Sequence, residues 1–161
     1  MKIGIVGLGY VGLPLAVAFA EDGHDVVGLD LDADKIAALR AGRSYIEDVP
    51  ESVLTPIAER LEATSDYAAL AACDAVVICV PTPLSDSREP DLTYLVDSAT
   101  ALAEVLRSDQ LVVLESTTYP GTTRERLLPI LERSGLNAGS DFHLAFSPER
   151  MDPGRTDFTI R

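Results

Sequence analysis

Positive charge is in short supply: 13 Lys and Arg stand against 26 Asp and Glu, a formal charge of −13 at pH 7. Such a chain lacks the basic footprint that nucleic acids or anionic membrane surfaces require, so neither is expected as a partner. No apolar run approaches the roughly 20 residues needed to cross a bilayer. The opening, Met1-Lys2-Ile3-Gly4-Ile5-Val6, runs straight into Gly7 and has none of the three parts of a secretory signal. Cysteine is limited to Cys73 and Cys79, in or beside an apolar stretch, which reads as two small core residues rather than a disulfide. His24 and His143 are too few and too far apart for a metal site, and no Ser-His-Asp or Cys-His constellation is apparent. Internal repeats, low-complexity tracts and linkers are also missing. What these absences leave is an acidic, soluble, cytoplasmic domain. Its 161 residues, 47% of them hydrophobic and 24% charged, are enough for one ordinary core.

Apolar, β-branched runs alternate with helical-period segments, the pattern of repeated βα units. Strands are expected at Lys2–Val6, Val26–Leu29, Leu61–Thr64, Ala75–Val80, Leu111–Leu114 and Phe142–Phe146. Helices are expected from about Tyr10–Gly12 through Ala20, and over Asp34–Arg40, Glu51–Arg60, Leu92–Leu106 (with Asp91 as N-cap) and Thr122–Ser134. Pro14 forces the first helix to have only just begun, because a proline is tolerated where the first-turn N–H is spare. Ser85–Pro90 reads as a surface loop. The fold class that follows is α/β, a doubly wound Rossmann-type parallel sheet with helices on both faces, ordered 3-2-1-4-5-6.

Gly7-Leu8-Gly9-Tyr10-Val11-Gly12 is a G-x-G-x-x-G. It follows the first expected strand and opens the first expected helix. Asp30 ends the second strand about 20 residues further on, the context that a dinucleotide fingerprint demands. Gly7 suits the tight turn, Gly9 the approach of backbone to a diphosphate, and Gly12 close helix–strand packing. The diphosphate would rest on free N–H groups at the helix start, and Asp30 would accept from the adenosine ribose. Leu31 and Asp32 follow, with no adjacent Arg to hold a 2′-phosphate, so NAD is favoured over NADP. Ligands of open α/β sheets bind at the carboxyl ends of strands. Pro81-Thr82-Pro83, Glu115–Gly121 and Ser147–Gly154 should therefore rim the cleft. From chemistry alone Glu149 is either an acid–base group near the nicotinamide or a solvated glutamate. Thr117 and Thr118 either position a water or simply favour a strand end.

Four blocks resemble one family across essentially the whole chain. They are Gly7-Leu8-Gly9-Tyr10-Val11-Gly12-Leu13-Pro14-Leu15-Ala16, Val80-Pro81-Thr82-Pro83-Leu84, Glu115–Thr123, and Phe146-Ser147-Pro148-Glu149-Arg150-Met151-Asp152-Pro153-Gly154. They look like the UDP-glucose/GDP-mannose dehydrogenases, the nucleotide-sugar 6-dehydrogenases. The resemblance implies a cytoplasmic enzyme that oxidises C6 of a UDP-sugar to the carboxylate in two NAD-dependent steps, through a cysteine thiohemiacetal and then a thioester. It implies that NAD is held by the glycine loop with Tyr10 and Val11, by Asp30 and Lys35 at the ribose, and by Val80, Pro81 and Thr82. Thr117 would help to order the catalytic water, and Glu149 would be the general acid–base. Arg150, Met151, Asp152, Pro153 and Gly154 would line the sugar pocket with Glu149.

Ser147-Pro148-Glu149-Arg150 and Arg43-Ser44-Tyr45-Ile46-Glu47-Asp48 are similar to the branch acting on UDP-N-acetylhexosamines, whereas UDP-glucose enzymes carry Pro-Glu-Phe-Leu-x-Glu-Gly. UDP-glucose oxidation and a non-catalytic NAD-binding module stand as the alternatives. The family continues into a central helix and a second Rossmann-like domain that bears the nucleophilic cysteine. Neither Cys73 nor Cys79 stands in the corresponding loop. The expectation is thus that residues 1–161 form the NAD-binding half of a larger dehydrogenase, inactive alone, whose full-length form is a homodimer or higher and meets its UDP-sugar with the other half.

Overall fold

The computed structural model describes residues 1–83 and 90–148. Six parallel strands form one sheet: β1 (Lys2–Val6), β2 (Asp25–Leu29), β3 (Leu61–Thr64), β4 (Ala75–Ile78), β5 (Leu111–Leu114) and β6 (His143–Phe146), in the order β3-β2-β1-β4-β5-β6. The register runs evenly, with Ile3 opposite Val26 on one side of β1 and opposite Ala75 on the other. Successive strand residues point to opposite faces, and each face is covered. Ile3 and Ile5 of β1 and Val77 of β4 pack under helix α1 (Gly12–Glu21) with Leu13 and Val17. Val6, Val76 and Ile78 pack on the other face with Leu95, Ala99 and Leu102 of helix α4 (Thr93–Ala103). At β1 the connections turn from one side of the sheet to the other, and that reversal opens a crevice at the strand carboxyl ends.

Several elements are shorter or less regular than their sequence pattern. The helix expected over Glu51–Arg60 stops early: α3 covers Glu51–Leu54 and gives way to a 3-10 turn at Thr55–Ile57. Pro56 has no N–H for the Ser52 carbonyl, which breaks the α pattern there. The helix expected over Thr122–Ser134 is a composite. A π turn at Thr123–Leu127 leads into α5 (Leu128–Leu131) and a 3-10 end at Glu132–Ser134. Pro129 lies behind this, because its ring needs room against the carbonyl four residues back and a widened turn provides it.

Strand β4 ends at Ile78, so Cys79 and Val80 lie past it, and Phe142 precedes β6 as an isolated bridge to Ala138. Helix α2 (Ala33–Arg40) is capped by Asp32, whose Oδ1 accepts from Asp34 N and Lys35 N. The helix expected over Leu92–Leu106 with Asp91 as N-cap is shorter, running over Thr93–Ala103 with Leu92 at the N-cap position. Asp91 stands one residue earlier, its Oδ1 accepting from Thr93 N at 2.9 Å and from the Thr93 hydroxyl at 2.6 Å. The 3-10 segment Tyr67–Ala72 was not apparent from the sequence. Cys73 and Cys79 are both buried, and neither is in a disulfide.

Candidate cofactor site

The turn after β1 is built by three glycines under three different constraints. Gly7 has φ +93°, and a β-carbon there would lie 2.7 Å from the Cys79 carbonyl oxygen of the neighbouring strand end. At Gly12 a β-carbon would meet the Gly7 carbonyl oxygen at 1.8 Å. The helix therefore leaves the sheet at a distance that only hydrogen side chains permit. Nothing lies within 4 Å of a β-carbon built on Gly9. Its near side is empty, and it faces the crevice.

Asp30, one residue past β2, is the hub of the loop. Its Oδ2 accepts from Leu8 N and from Lys35 Nζ, both at 2.9 Å, and its Oδ1 accepts from Asp32 N at 2.9 Å. Burial pushes the carboxyl up. The hydrogen bonds from the Asp32 N–H, the Lys35 ammonium and the Leu8 N–H together outweigh it and leave Asp30 below the ordinary carboxylate value. A fixed anion at this point suits ribose hydroxyls and repels a 2′-phosphate. Tyr45 closes the group from the loop after α2: its hydroxyl donates to the Leu8 carbonyl at 2.8 Å, and Lys35 Nζ lies 5.9 Å from its ring centre.

The crevice measures about 850 Å³ and is bordered by Gly7, Gly9, Tyr10 and Val11 of the loop and by Asp30 and Lys35. Its other wall comes from the strand ends, with Val80, Pro81 and Thr82 after β4 and Thr117 after β5. The Thr82 hydroxyl donates to the Thr117 carbonyl, which ties these two loops together. Of the expected cofactor residues, Gly7, Gly9, Tyr10, Val11, Asp30, Lys35, Val80, Pro81, Thr82 and Thr117 thus border one cavity, whereas Gly12 does not and acts through its packing beneath Gly7. The open approach to Gly9, the carboxylate at Asp30 and the absence, among the described residues, of protein acceptors for the N–H groups of Gly9, Tyr10 and Val11 suit a dinucleotide. Glu149, Arg150, Met151, Asp152, Pro153 and Gly154 lie outside the described residues. Among the described residues no group of three or more His, Cys, Asp or Glu could hold a metal ion.

Sequence reasoning missed the floor of the crevice. Tyr94, Asp97, Ser98 and Ala101 of α4 line it, as do Leu31 and Tyr67. The four α4 residues recur at the three- and four-residue spacing of one helix face, a signal that was present in the sequence. Tyr45 gave no such signal, because its partner is a backbone carbonyl 37 positions away.

A parallel sheet of this order, with a glycine turn at its reversal point and a carboxylate ending the second strand, defines a dinucleotide-binding Rossmann domain. Residues 1–159 match the model of the UDP-glucose/GDP-mannose dehydrogenase family, NAD binding domain, and the chain belongs to that family as its NAD-binding portion. It is 42% identical over 161 residues to the UDP-N-acetyl-D-glucosamine 6-dehydrogenase of Pseudomonas aeruginosa, covering 99% of this chain and 38% of that one. The solved UDP-D-ManNAc dehydrogenase of Pyrococcus horikoshii superposes with a TM-score of 0.90 at 40% identity, over 98% of this chain and 38% of that one. A UDP-glucose dehydrogenase from Pyrobaculum islandicum gives 0.86 at 37% identity, over 95% and 37%. The chain therefore spans under two fifths of the length of these relatives. Among the described residues no helix is long and apolar enough to cross a membrane.

Proposed function

We propose that this chain is the cofactor-binding part of a cytoplasmic nucleotide-sugar 6-dehydrogenase whose substrate is a UDP-N-acetylhexosamine, UDP-GlcNAc or UDP-ManNAc. The observation that carries the reading is the Asp30 carboxylate beside an open Gly9, in a chain whose similar curated relatives include UDP-N-acetyl-D-glucosamine and UDP-N-acetyl-D-mannosamine dehydrogenases. NAD, when bound, supplies the hydride acceptor. The chain's own residues do the holding. Asp30 and Lys35 receive the adenosine ribose, the N–H groups of Gly9, Tyr10 and Val11 receive the diphosphate, and Val80, Pro81 and Thr82 wall the nicotinamide side. Thr117, tied to Thr82, orients a water beside the reacting carbon, and Glu149 moves its proton. Arg150, Met151, Asp152, Pro153 and Gly154 line the sugar.

The rest of the enzyme supplies the nucleophile, the remainder of the sugar site and the surface on which a homodimer or higher form assembles, so residues 1–161 alone bind NAD without turning over. Oxidation of UDP-glucose is the second reading, favoured by the 40% identity to a UDP-glucose 6-dehydrogenase of Haloferax volcanii.

Calorimetric titration of residues 1–161 with NAD and NADP, repeated on Asp30→Ala, tests the cofactor half. NAD alone should bind, and the substitution should weaken it. NADH production by the full-length enzyme with UDP-GlcNAc, UDP-ManNAc and UDP-glucose in turn tests the substrate. A clear preference for UDP-glucose would replace the first reading with the second.

A further inference from the structure

Three groups converge on Leu8, the residue between the first two glycines. Its side chain is fully buried, with methyl carbons 3.0 and 3.1 Å from where a β-carbon on Gly28 would stand. Its N–H is taken by Asp30 Oδ2, and its carbonyl accepts the Tyr45 hydroxyl. The last contact bears on the next residue. The peptide between Leu8 and Gly9 is planar and trans, so its C=O and N–H point in opposite directions. With the carbonyl held toward Tyr45, the Gly9 N–H faces away from Tyr45. No acceptor for it occurs among the described residues. Glycine itself does not hold this plane, since it takes up a wide range of backbone angles. The peptide after Gly9 is secured separately, its carbonyl accepting from Leu13 N at 3.1 Å.

We infer that Tyr45 is a positioning residue for the dinucleotide: by holding the Leu8 carbonyl it aims the Gly9 N–H at the diphosphate, although Tyr45 itself does not border the crevice. The inference rests on the NAD-binding reading of the same site. The loop that carries Tyr45 is shaped for delivery, with Ser44 Oγ donating to the Ile46 carbonyl at 3.1 Å and accepting from Ile46 N at 3.2 Å. Lys35 rests near the ring while its ammonium grips Asp30, so ribose anchor and diphosphate anchor are braced against each other. Burial first, and then the charges of Asp30 and Asp32, push the phenol above its usual range, so the donor proton stays in place at any physiological pH.

The test is Tyr45→Phe, which keeps the ring and removes only the donor. NAD and ADP-ribose should bind about 3- to 10-fold more weakly, the value of one net hydrogen bond. Adenosine, which has no diphosphate, should bind as before. Unchanged NAD affinity, or an equal loss for adenosine, would overturn the inference, the latter because it indicates a general disturbance of the loop. A failure of the unsubstituted chain to bind NAD would instead overturn the cofactor reading itself. An independent measurement uses the unsubstituted chain labelled with nitrogen-15. The Gly9 amide resonance should shift on adding ADP-ribose and stay in place with adenosine. A Gly9 amide indifferent to ADP-ribose would overturn the inference even if Tyr45→Phe did not fold.

Discussion

Gly12 stands so close beneath Gly7 that a single added methyl would sit 1.8 Å from the Gly7 carbonyl oxygen, well inside contact distance. The obstacle is backbone, which cannot swing aside as a side chain can. Gly12→Ala should therefore cost at least about 3 kcal/mol, or roughly 6–12 °C in melting temperature for a domain of this size. Gly9→Ala gives the opposite result. Nothing lies within 4 Å of its new methyl, so the melting temperature should hold while NAD binding is lost to the blocked approach. Thermal unfolding and titration on the two variants check the pair. Equal melting temperatures for both would contradict the packing described.

Asp30 should make stability depend on pH in one direction. Its carboxyl is held below the ordinary value of 3.8 in the folded chain. A depressed carboxyl contributes stability that is fully present above the unfolded value and lost as pH falls through the folded one. Urea unfolding of the parent and Asp30→Asn should show a constant difference from pH 7 to pH 5, narrowing below about pH 4. A difference that grows on acidification would rule out the network around Asp30.

Gln110, 1% exposed, lies at the end of the sheet remote from the crevice. Its side-chain amide donates to the Leu70 and Cys73 carbonyls at 3.0 and 2.7 Å, and its oxygen accepts from Arg107 N at 2.9 Å. Gln110→Ala leaves the Arg107 N–H without its acceptor, takes one of two donors from each of the Leu70 and Cys73 carbonyls, which keep Cys73 N and Arg107 Nη2, and opens a cavity, a loss of about 2–3 kcal/mol. NAD affinity, measured on the fraction that remains folded, should not change.

The two thiols should react with different dependence on cofactor. Burial pushes the Cys73 thiol up to about 11, so little thiolate forms at pH 8, and no part of Cys73 borders the crevice. Cys79 does border it. Alkylation followed by mass spectrometry should find Cys73 protected with or without NAD and Cys79 slowed further by NAD. Cofactor-independent labelling of Cys79 would place the ligand elsewhere.

Strand order, the glycine turn and Asp30 were legible in the sequence, because each depends on residues close together in the chain or on alternating apolar runs. Pro14 was read correctly within the first turn of α1. The helix expected over Thr122–Ser134 runs through Pro129 without a break in its pattern, because a proline deep in an apolar, helix-rich segment can be met by a widened turn as well as by a break, and packing decides between them. The crevice floor on α4 was missed for a related reason. Tyr94 and Ser98 carry a helical spacing that looks like an ordinary amphipathic face until the position of the neighbouring sheet is known. Tyr45 was visible only as part of a resembling stretch, since its bond to Leu8 depends on where the loop after α2 returns.

The position of β1 between β2 and β4 has a consequence for how the chain must be made. One side of β1 can pair as soon as β2 has followed it, but the other stays an open edge until residues 75–78 have been synthesised. A parallel partner cannot be reached by a tight hairpin, and bringing it in means closing a loop of about 70 residues. During that interval an apolar edge is presented to other chains. Chains released after β3 should therefore sediment as aggregates, and those that include β4, α4 and β5, which cover the edge and the face that β4 brings in, should stay in solution.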